Sequence, residues 1–377
     1  MKVRKIYAVN FRNYTDCSLN FTSMINVFFG QNAQGKTNLL EAVFYSAFGL
    51  SHRTNSEDEL MMLSSRQMAV GVEYENFSGL NELRIKRYEH LGRMKKEILL
   101  NGEKIRPKEQ YGHLNVVMFS PEDLQLIKGE PALRRRFFDM QIAQTDAVYY
   151  DLLVKYNRVL QQRNKLLKEL REQLIFTVSP QLEVWNREFI NLAALITEKR
   201  LQALGKLQNI AGEIYGSITG HREQFTVRYE LKANDGICLY PAQEAVSLTD
   251  FYNEHLKART KIDIMRGNTG IGPHRDDLIF ELDNLSLKSF GSQGQQRSGA
   301  LALKLAQLEY VRQEIGEFPV LLLDDVMSEL DAFRREQMLL FIDGRVQTFI
   351  TVNDRELIPA VKGSSYYEIK EGTVREV

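Results

Sequence analysis

The chain has 377 residues, 44% hydrophobic and 26% charged, which is enough for two or three domains of roughly 150 residues and excludes wholesale disorder. It holds no apolar run near the ~18 residues of a membrane span and no secretory signal, and its two cysteines, Cys17 and Cys238, exclude a disulfide framework, so we expect a reducing cytoplasm. Lysine plus arginine equals aspartate plus glutamate at 49 each, so a nucleic-acid site must be a local patch.

The N-terminal third predicts strands around one helix. Apolar runs that end at glycine indicate buried strands, and Asn/Gly pairs between alternating segments indicate hairpins. In chain order the predicted elements are strands at Val3–Val9 and Met24–Phe29, a helix at Asn38–Phe48, a strand meander over Gln67–Ile105 with turns at Asn76–Gly79 and Asn101–Gly102, and a strand at Val116–Phe119.

The middle of the chain predicts helices. Apolar residues recur at spacings of three and four within Thr145–Leu174, where Arg163 interrupts the stripe, and again from Trp185 to Ile214. These spacings predict two long amphipathic helices that are joined near Ser179–Pro180. With a third helix at 247–265, they would form a short helical arm with an apolar core.

The last third returns to alternating helices and strands. The predicted elements are a helix at Ser298–Gln313, a buried strand at Pro319–Leu323, a helix at Ala332–Ile342 and a strand at Gln347–Val352. The sequence therefore predicts an α/β unit built from both ends of the chain, residues 1–131 and 271–377. Residues 132–270 would form a helical insertion between these two parts.

A phosphate-binding loop is predicted between the strand at Met24–Phe29 and the helix that follows it. Its backbone N–H groups and the helix N-terminus would face phosphate oxygens. Lys36, expected as an accessible loop charge, would reach the β- and γ-phosphates, and the Thr37 hydroxyl would ligate Mg²⁺. The residues that fit the pattern G-x-x-x-x-G-K-[ST] are Gly30, Gln31, Asn32, Ala33, Gln34, Gly35, Lys36 and Thr37.

Two acidic residues end the strand at Pro319–Leu323. Asp324 is placed to hold the metal, and Asp325 to orient or deprotonate the attacking water. A strand end of this kind is often only a helix cap. Beside a phosphate loop, and followed by Ser-Glu-Leu-Asp at 328–331, it favours a catalytic site.

A Gly/Ser/Gln segment at 289–297 opens the helix predicted at Ser298–Gln313. Small and polar residues at a helix start can bind an anion. Ser292, Gly294 and Gln295 are the candidate contacts. On its own the segment is a weak signal, because such turns are common; its place between the phosphate loop and the acidic strand end makes it informative.

The order of these motifs resembles that of ATP-binding-cassette ATPases, in which two heads pair and the Gly-Ser segment of one contacts the γ-phosphate held by the other. Further segments are similar to those of bacterial chromosome-maintenance and DNA repair ATPases of this family. They are Asn10–Tyr14, Ser120–Leu124, Lys128–Gly129, Pro131–Asp139, Gly272–Leu278 and Asp324–Asp331. Asp325 stands where the general cassette pattern has Glu, as it does in the repair-type members, and its shorter side chain predicts slow hydrolysis.

The resemblance implies a function and a set of ligands. It implies a P-loop ATPase head with a helical arm, ATP and Mg²⁺ as ligands, and Arg12 near the phosphates. It also implies an ATP-driven homodimer with weak DNA-stimulated ATPase activity. Such proteins act in the cytoplasm at gapped, single-stranded or duplex DNA, with RecO and RecR, to help load the RecA recombinase.

DNA-contact residues are the least determined part of the sequence. Arg134, Arg135 and Arg136 would face DNA phosphates or pair with acidic residues inside the protein. Lys165, Lys168 and Arg171 are predicted to lie on a solvated helix face. The sequence also leaves the roles of two other residues undecided. His274 fits a catalytic or switch residue and a structural loop residue equally well. Thr351 stands where cassette ATPases often carry a phosphate-sensing histidine, so that sensing role has no evident residue here.

The sequence argues against two other classes of protein. A transporter engine would carry a much shorter span between Lys36 and Ser292. A P-loop GTPase would need an N-K-x-D guanine-recognition motif, which residues 351–354 do not provide, and neither it nor a small-molecule kinase needs the Gly-Ser segment.

Overall fold

The computed structural model describes residues 1–63, 65–234, 236–240, 247–358 and 363–377. Residues 1–125 together with 300–377 form one compact unit, and residues 126–299 form the other. The first unit thus contains both ends of the chain. The domain boundaries at 131/132 and 270/271 remain a prediction, because a compact unit is not by itself a functional domain.

The strands and helices are numbered here in chain order. The strands are β1 (Lys2–Phe11), β2 (Tyr14–Asn20), β3 (Ile25–Phe29), β4 (Gln67–Asn76), β5 (Gly79–His90), β6 (Arg93–Leu100), β7 (Glu103–Ile105), β8 (Val116–Phe119), β9 (Phe225–Lys232), β10 (Ile237–Tyr240), β11 (Asp277–Leu282), β12 (Leu285–Ser286), β13 (Val320–Asp324), β14 (Thr348–Val352), β15 (Ser364–Lys370) and β16 (Thr373–Glu376). The α-helices are α1 (Lys36–Phe48), α2 (Gln125–Lys128), α3 (Pro131–Thr145), α4 (Ala147–Glu172), α5 (Pro180–Thr219), α6 (Leu248–Arg266), α7 (Leu287–Phe290), α8 (Gln293–Ile315), α9 (Val326–Glu329) and α10 (Ala332–Ile342). Short 3-10 helices lie at Glu57–Leu60, Pro107–Glu109, Pro121–Leu124 and Arg355–Leu357.

A mostly parallel sheet with the order β16-β15-β3-β14-β13-β8 forms the centre of the first unit. Its inner strands are nearly continuous apolar runs, as expected for strands that are covered on both faces. The carboxyl ends of β3, β13 and β14 meet at one edge, because these strands are parallel. This edge carries the phosphate loop and the acidic strand end, and the predicted α/β class is confirmed.

An antiparallel sheet with the order β2-β1-β4-β5-β6-β7 lies in the same unit. Its alternating residues, such as Val70, Ile85 and Ile98, are buried on the side where α1 packs. The predicted meander and its turn at Asn101–Gly102 are confirmed, since both residues adopt positive φ angles there.

The second unit contains the two predicted long helices, α4 and α5. Ser179 caps α5 by accepting a hydrogen bond from the Leu182 N–H at 3.2 Å, and Pro180 occupies its first turn. Arg163, the charge that interrupts the apolar stripe, is completely buried and pairs with Asp263 of α6 at 3.2 Å.

The second unit also holds an antiparallel sheet with the order β10-β9-β11-β12. The insertion predicted as helical thus also carries two strands, β9 and β10, which the prediction omitted. β9 buries Phe225, Val227, Tyr229 and Leu231 on one face, an alternation that was readable in the sequence. Cys17 is buried and free, whereas the side chain of Cys238 lies outside the described part of the structure.

A phosphate loop facing an acidic strand end

The loop of residues 30–35 leaves the carboxyl end of β3 and enters α1. Gly30 and Gly35 adopt φ angles of 150° and 114°. A Cβ atom at Gly30 would lie 2.4 Å from the Ile369 carbonyl oxygen, and one at Gly35 would lie 2.6 Å from Nδ2 of Asn13. Glycine is therefore required at both positions by the conformation and by the close approach of neighbouring atoms.

Two hairpins hold this loop in place. From β1–β2, Asn13 Nδ2 donates to the Gln34 carbonyl at 3.0 Å and the Tyr14 hydroxyl donates to the Gly35 carbonyl at 3.0 Å. From β15–β16, the N–H groups of Glu371 and Gly372 donate to the Gln34 side chain at 2.6 Å and to its carbonyl at 3.1 Å. The loop is thus preorganised, which lowers the cost of ordering it around an anion.

Lys36 is only 7% exposed, so it is not the accessible charge that we expected. Its ammonium donates to the carbonyls of Gly30 at 2.5 Å and Gln31 at 2.8 Å, and to Oδ1 of Asn353 at 2.9 Å. Burial lowers the pKa of Lys36, and the nearby carboxylates of Asp325 and Asp324 oppose that shift. The side chain is therefore held inside the curve of the loop, where a phosphate would lie.

Thr37 and Asp324 form the part of the site that is suited to a metal. The Thr37 hydroxyl donates to Asp324 Oδ1 at 2.8 Å, and the buried Thr351 hydroxyl donates to the same oxygen at 2.7 Å. Mg²⁺ prefers such hard oxygen ligands and usually keeps one or two protein ligands beside phosphates and water. The Thr37 and Asp324 oxygens therefore fit an ion that is shared with a nucleotide. Among the described residues no group of three or more His, Cys, Asp or Glu side chains could hold a metal.

Asp325, the residue after Asp324, adopts a left-handed backbone conformation, with φ of 52°. Its N–H donates to the Thr351 hydroxyl at 2.9 Å, and its side chain accepts from the Ser328 hydroxyl at 3.2 Å. Burial raises the pKa of Asp325, and the adjacent Asp324 raises it further, against the opposing effects of Ser328 and Lys36. Non-glycine residues in this conformation cost energy and occur often at functional sites.

Arg12 is held by an acidic residue of α1. Its guanidinium donates to both carboxylate oxygens of the buried Glu41 at 2.8 Å, and to the Glu59 carbonyl at 2.8 Å. Burial would raise the pKa of Glu41, but the bonds from Arg12 and Ser51 hold it below its usual value. The structure thus gives Arg12 a structural ion pair, and its contact with phosphate stays a prediction.

Ser292, Gly294 and Gln295 lie at the N-terminus of α8. The Ser292 N–H donates to Gln295 Oε1 at 2.7 Å, and the Gln295 N–H donates to the Ser292 hydroxyl at 3.2 Å, which forms a reciprocal cap. Gln295 also donates to Glu223 at 2.6 Å, whereas Ser292 is exposed. The helix start is thus fixed in shape, with Ser292 at its surface.

The three candidate DNA arginines have different environments. Arg134 is 3% exposed, and its guanidinium donates to both oxygens of Asp277 at 2.7 Å. Arg135 is half-buried and donates to the Asp276 carbonyl at 2.8 Å, while Arg136 is exposed. For Arg134 the structure supports the alternative of an internal ion pair, because a buried guanidinium with both carboxylate oxygens engaged is not presented to a DNA backbone.

This environment predicts that Arg134→Ala destabilises the protein. Removing one member of a buried ion pair leaves an uncompensated charge and typically costs about 3–5 kcal/mol. Urea unfolding monitored by circular dichroism would measure the loss. Arg158→Ala, at an exposed position of α4, is the matched control and should change stability by at most about 0.5 kcal/mol, as exposed substitutions do. An Arg134→Ala protein of unchanged stability would contradict the buried pair.

His274 occupies a structural position. Its Nδ1 lies 2.6 Å from the Tyr156 hydroxyl and its Nε2 lies 3.1 Å from the Thr269 carbonyl. Burial lowers the pKa of His274 to about 4, so the imidazole is neutral near pH 7, accepting from Tyr156 and donating to Thr269. This arrangement favours the structural interpretation over a switch.

Asn353 is a candidate that sequence reasoning missed. Because Val352 of β14 is paired with Phe29 of β3, the residue that follows Val352 lies beside Gly30. The Asn353 Oδ1 accepts a hydrogen bond from Lys36. Thr351, at the position where cassette ATPases often carry a phosphate-sensing histidine, is buried within β14, and its hydroxyl donates to Asp324 and accepts from the Asp325 N–H. The register of two distant strands brings Asn353 here, and no local motif signals it.

A strand–loop–helix phosphate site beside the acidic end of a parallel strand defines the head of a P-loop ATPase. The chain belongs to the family of the RecF/RecN/SMC N-terminal domain, whose model matches residues 2–373. Among the relatives, the DNA replication and repair protein RecF of Natranaerobius thermophilus is 41% identical over 94% of this chain and 92% of its own. That of Halalkalibacterium halodurans is 36% identical over 100% of both chains.

Solved structures agree with this family. The recombination mediator RecF with ATP, of the RecFOR pathway, matches with a TM-score of 0.89 and 32% identity over 100% of this chain and 97% of the other. The Smc head domain of Pyrococcus furiosus matches at a TM-score of 0.55 and 15% identity, covering 100% of this chain and 95% of that one, a likeness of fold alone. The helices of the described residues include none that is long and apolar enough to cross a membrane.

Proposed function

We propose that this protein is an ATP-switched, DNA-binding protein of replication and recombinational repair. The observation that carries the proposal is the meeting of Lys36, Thr37 and Asp324 at one edge of the parallel sheet. The likeness to a RecF–ATP structure over the whole chain supports the same nucleotide. Sedimentation with ATP, ADP or neither, each with and without duplex or gapped DNA, tests it: ATP should favour a dimer that binds DNA.

Each residue of the site has a defined task in this proposal. The N–H groups of residues 30–35 and the Lys36 ammonium bind the β- and γ-phosphates, while Thr37 and Asp324 would hold Mg²⁺. Mg²⁺ supplies charge neutralisation at the phosphates when bound. Asp325 accepts a hydrogen bond from the attacking water and orients it, and the amide of Asn353 lies beside the terminal phosphate position.

We expect Asp325→Asn to retain ATP binding and to lower the steady-state hydrolysis rate at least about tenfold, because the amide accepts a proton poorly. Burst and steady-state turnover measure this effect. Ser328→Ala is the matched control: it removes only the hydroxyl that bonds Asp325 at 3.2 Å and should leave most of the rate. Hydrolysis of Asp325→Asn at the wild-type rate would assign water orientation to another residue.

The biological setting follows from the family. RecF relatives act in DNA replication and repair, and the solved homologue is a recombination mediator of the RecFOR pathway. On this basis the protein acts in the cytoplasm at gapped or single-strand-containing DNA, with RecO and RecR, and helps to load RecA. Its hydrolysis is slow and stimulated by DNA. Residues 1–131 and 271–377 form the ATPase head, and residues 132–270 form a helical arm.

A further inference from the structure

We propose that the outward face of strands β5–β7 binds the phosphate backbone of duplex DNA; this inference rests on the proposed function and deepens it. The face is opposite to the one against which α1 packs, where Leu83 and Ile85 are completely buried. We call it the basic face. It consists of Glu82, Arg84, Lys86, Tyr88, His90, Arg93, Lys95, Glu97, Leu99 and Lys104.

The strand register concentrates positive charge on this face. Paired residues of neighbouring strands point to the same side of a sheet, so Lys95 stands beside Tyr88 and Arg93 beside His90. The basic face carries five lysines and arginines against two glutamates, whereas the whole chain has a formal net charge of zero. A chain of zero net charge needs a local excess of positive charge to bind nucleic acid, and the basic face provides such a patch.

Three of the cations form no ion pair with any described residue. Arg84 bonds Glu82, and Lys104 bonds Glu97 at 3.0 Å. Lys86, Arg93 and Lys95 form no ion pair in the described ranges. Lys86 stands opposite Glu97, which Lys104 already bonds, and both Arg93 and Lys95 are exposed. Lys86 and Lys95 are diagonal neighbours on this face, and an anionic ligand would offset the repulsion between them.

The chemistry of the face favours a duplex backbone over stacked bases. The Tyr7 hydroxyl of β1 donates to Glu82 at 2.9 Å, and the Arg84 guanidinium covers the Tyr7 ring at 4.8 Å. Single-strand binding relies on aromatic rings that are open for base stacking. Here the Arg84 guanidinium covers the Tyr7 ring, and the face carries five lysines and arginines, so phosphate contacts dominate and binding should ignore sequence.

The test uses the full chain with ATPγS and a labelled duplex of arbitrary sequence, measured by fluorescence anisotropy over a salt series. The triple variant Lys86→Ala/Arg93→Ala/Lys95→Ala should bind at least tenfold more weakly. The slope of log affinity against log salt is negative, and its magnitude should decrease by about 2–3, because each phosphate contact contributes roughly 0.9 to that magnitude. Nucleotide affinity, measured in parallel, should be unchanged, which shows that the variant is folded.

A matched control removes the same charge elsewhere. Lys165→Ala/Lys168→Ala/Arg171→Ala changes three exposed cations of α4 and should weaken duplex binding less than threefold. Lys86→Arg/Arg93→Lys/Lys95→Arg keeps the charge and should bind like the wild type.

The inference alone is overturned if the wild type binds duplex and the basic-face variant binds as tightly. It is also overturned if both alanine variants lose affinity for the duplex equally. The same holds if the basic-face variant keeps its affinity for the duplex and loses only its affinity for the matching single strand, measured in the same way. A wild-type protein that binds no DNA under any nucleotide condition contradicts the proposed function itself.

Discussion

Lys36→Met should lower the affinity for ATP at least about 100-fold and abolish any ATP-dependent association. The Lys36 ammonium is held inside the phosphate loop by two loop carbonyls and Asn353. A bound phosphate would take over part of these hydrogen bonds as charge-assisted bonds, each worth roughly 1.5–3 kcal/mol. The loss of two such bonds corresponds to a factor of about 100 or more in the dissociation constant.

Calorimetric titration with ATP measures this effect. Because Lys36 is buried, the substitution also removes the donor to Gly30 and Gln31, and a small loss of stability is expected. Asn353→Ala is the matched control, since it removes one acceptor of Lys36 and retains the charge. It should weaken ATP binding much less. Unaltered ATP binding by a folded Lys36→Met protein would refute the phosphate-loop assignment.

The phosphate loop was predictable from the sequence because its ligands are contiguous. A loop that wraps phosphate with backbone N–H groups needs glycine at fixed positions, and Gly30 and Gly35 do adopt the required conformations. The acidic end of β13 was predictable for a similar reason, since an apolar run that ends in two aspartates marks a strand edge.

Residues brought together by distant pairing were not predictable. Asn353 reaches Lys36 only through the register of β14 against β3. Likewise, the sequence shows Arg163 only as a charged residue that interrupts an apolar stripe, because its partner Asp263 lies 100 positions away along the chain. No spacing rule connects such residues, because the contact is set by the tertiary packing of helices. The sequence does not decide between the two roles of Arg134 for the same reason, since its partner Asp277 belongs to another segment.

The sheet in the second unit is a different kind of omission. The alternation over Phe225–Lys232 was present in the sequence and indicates a strand that is buried on one face. The strong helical periodicity of the flanking segments drew the prediction for the whole insertion towards helices.

The segment at the start of α8 is the basis for the proposed nucleotide-driven dimer. Ser292 is exposed, and the backbone around it is fixed by the reciprocal cap with Gln295. In cassette ATPases this segment completes the site of a second head, so one head alone leaves the γ-phosphate partly unwrapped. Two enclosed nucleotides would each add charge-assisted hydrogen bonds worth roughly 1.5–3 kcal/mol, enough to make association depend on ATP.

We expect Ser292→Arg to bind ATP as a monomer with nearly wild-type affinity and to fail to dimerise. The added side chain and charge would occupy the space of the partner's nucleotide, so tight DNA binding by the dimer should also be lost. Ser292→Ala is the matched control. It loses the hydroxyl that accepts from Gln295 at 3.2 Å, at a cost of about 1 kcal/mol for the helix cap, but adds no bulk and should still dimerise with ATP. Analytical ultracentrifugation with ATPγS, with and without duplex DNA, separates the two variants. An ATPγS-bound Ser292→Arg protein that sediments as a dimer would show that this helix start lies away from the interface, since a side chain of that length could not fit beside a nucleotide enclosed between two heads.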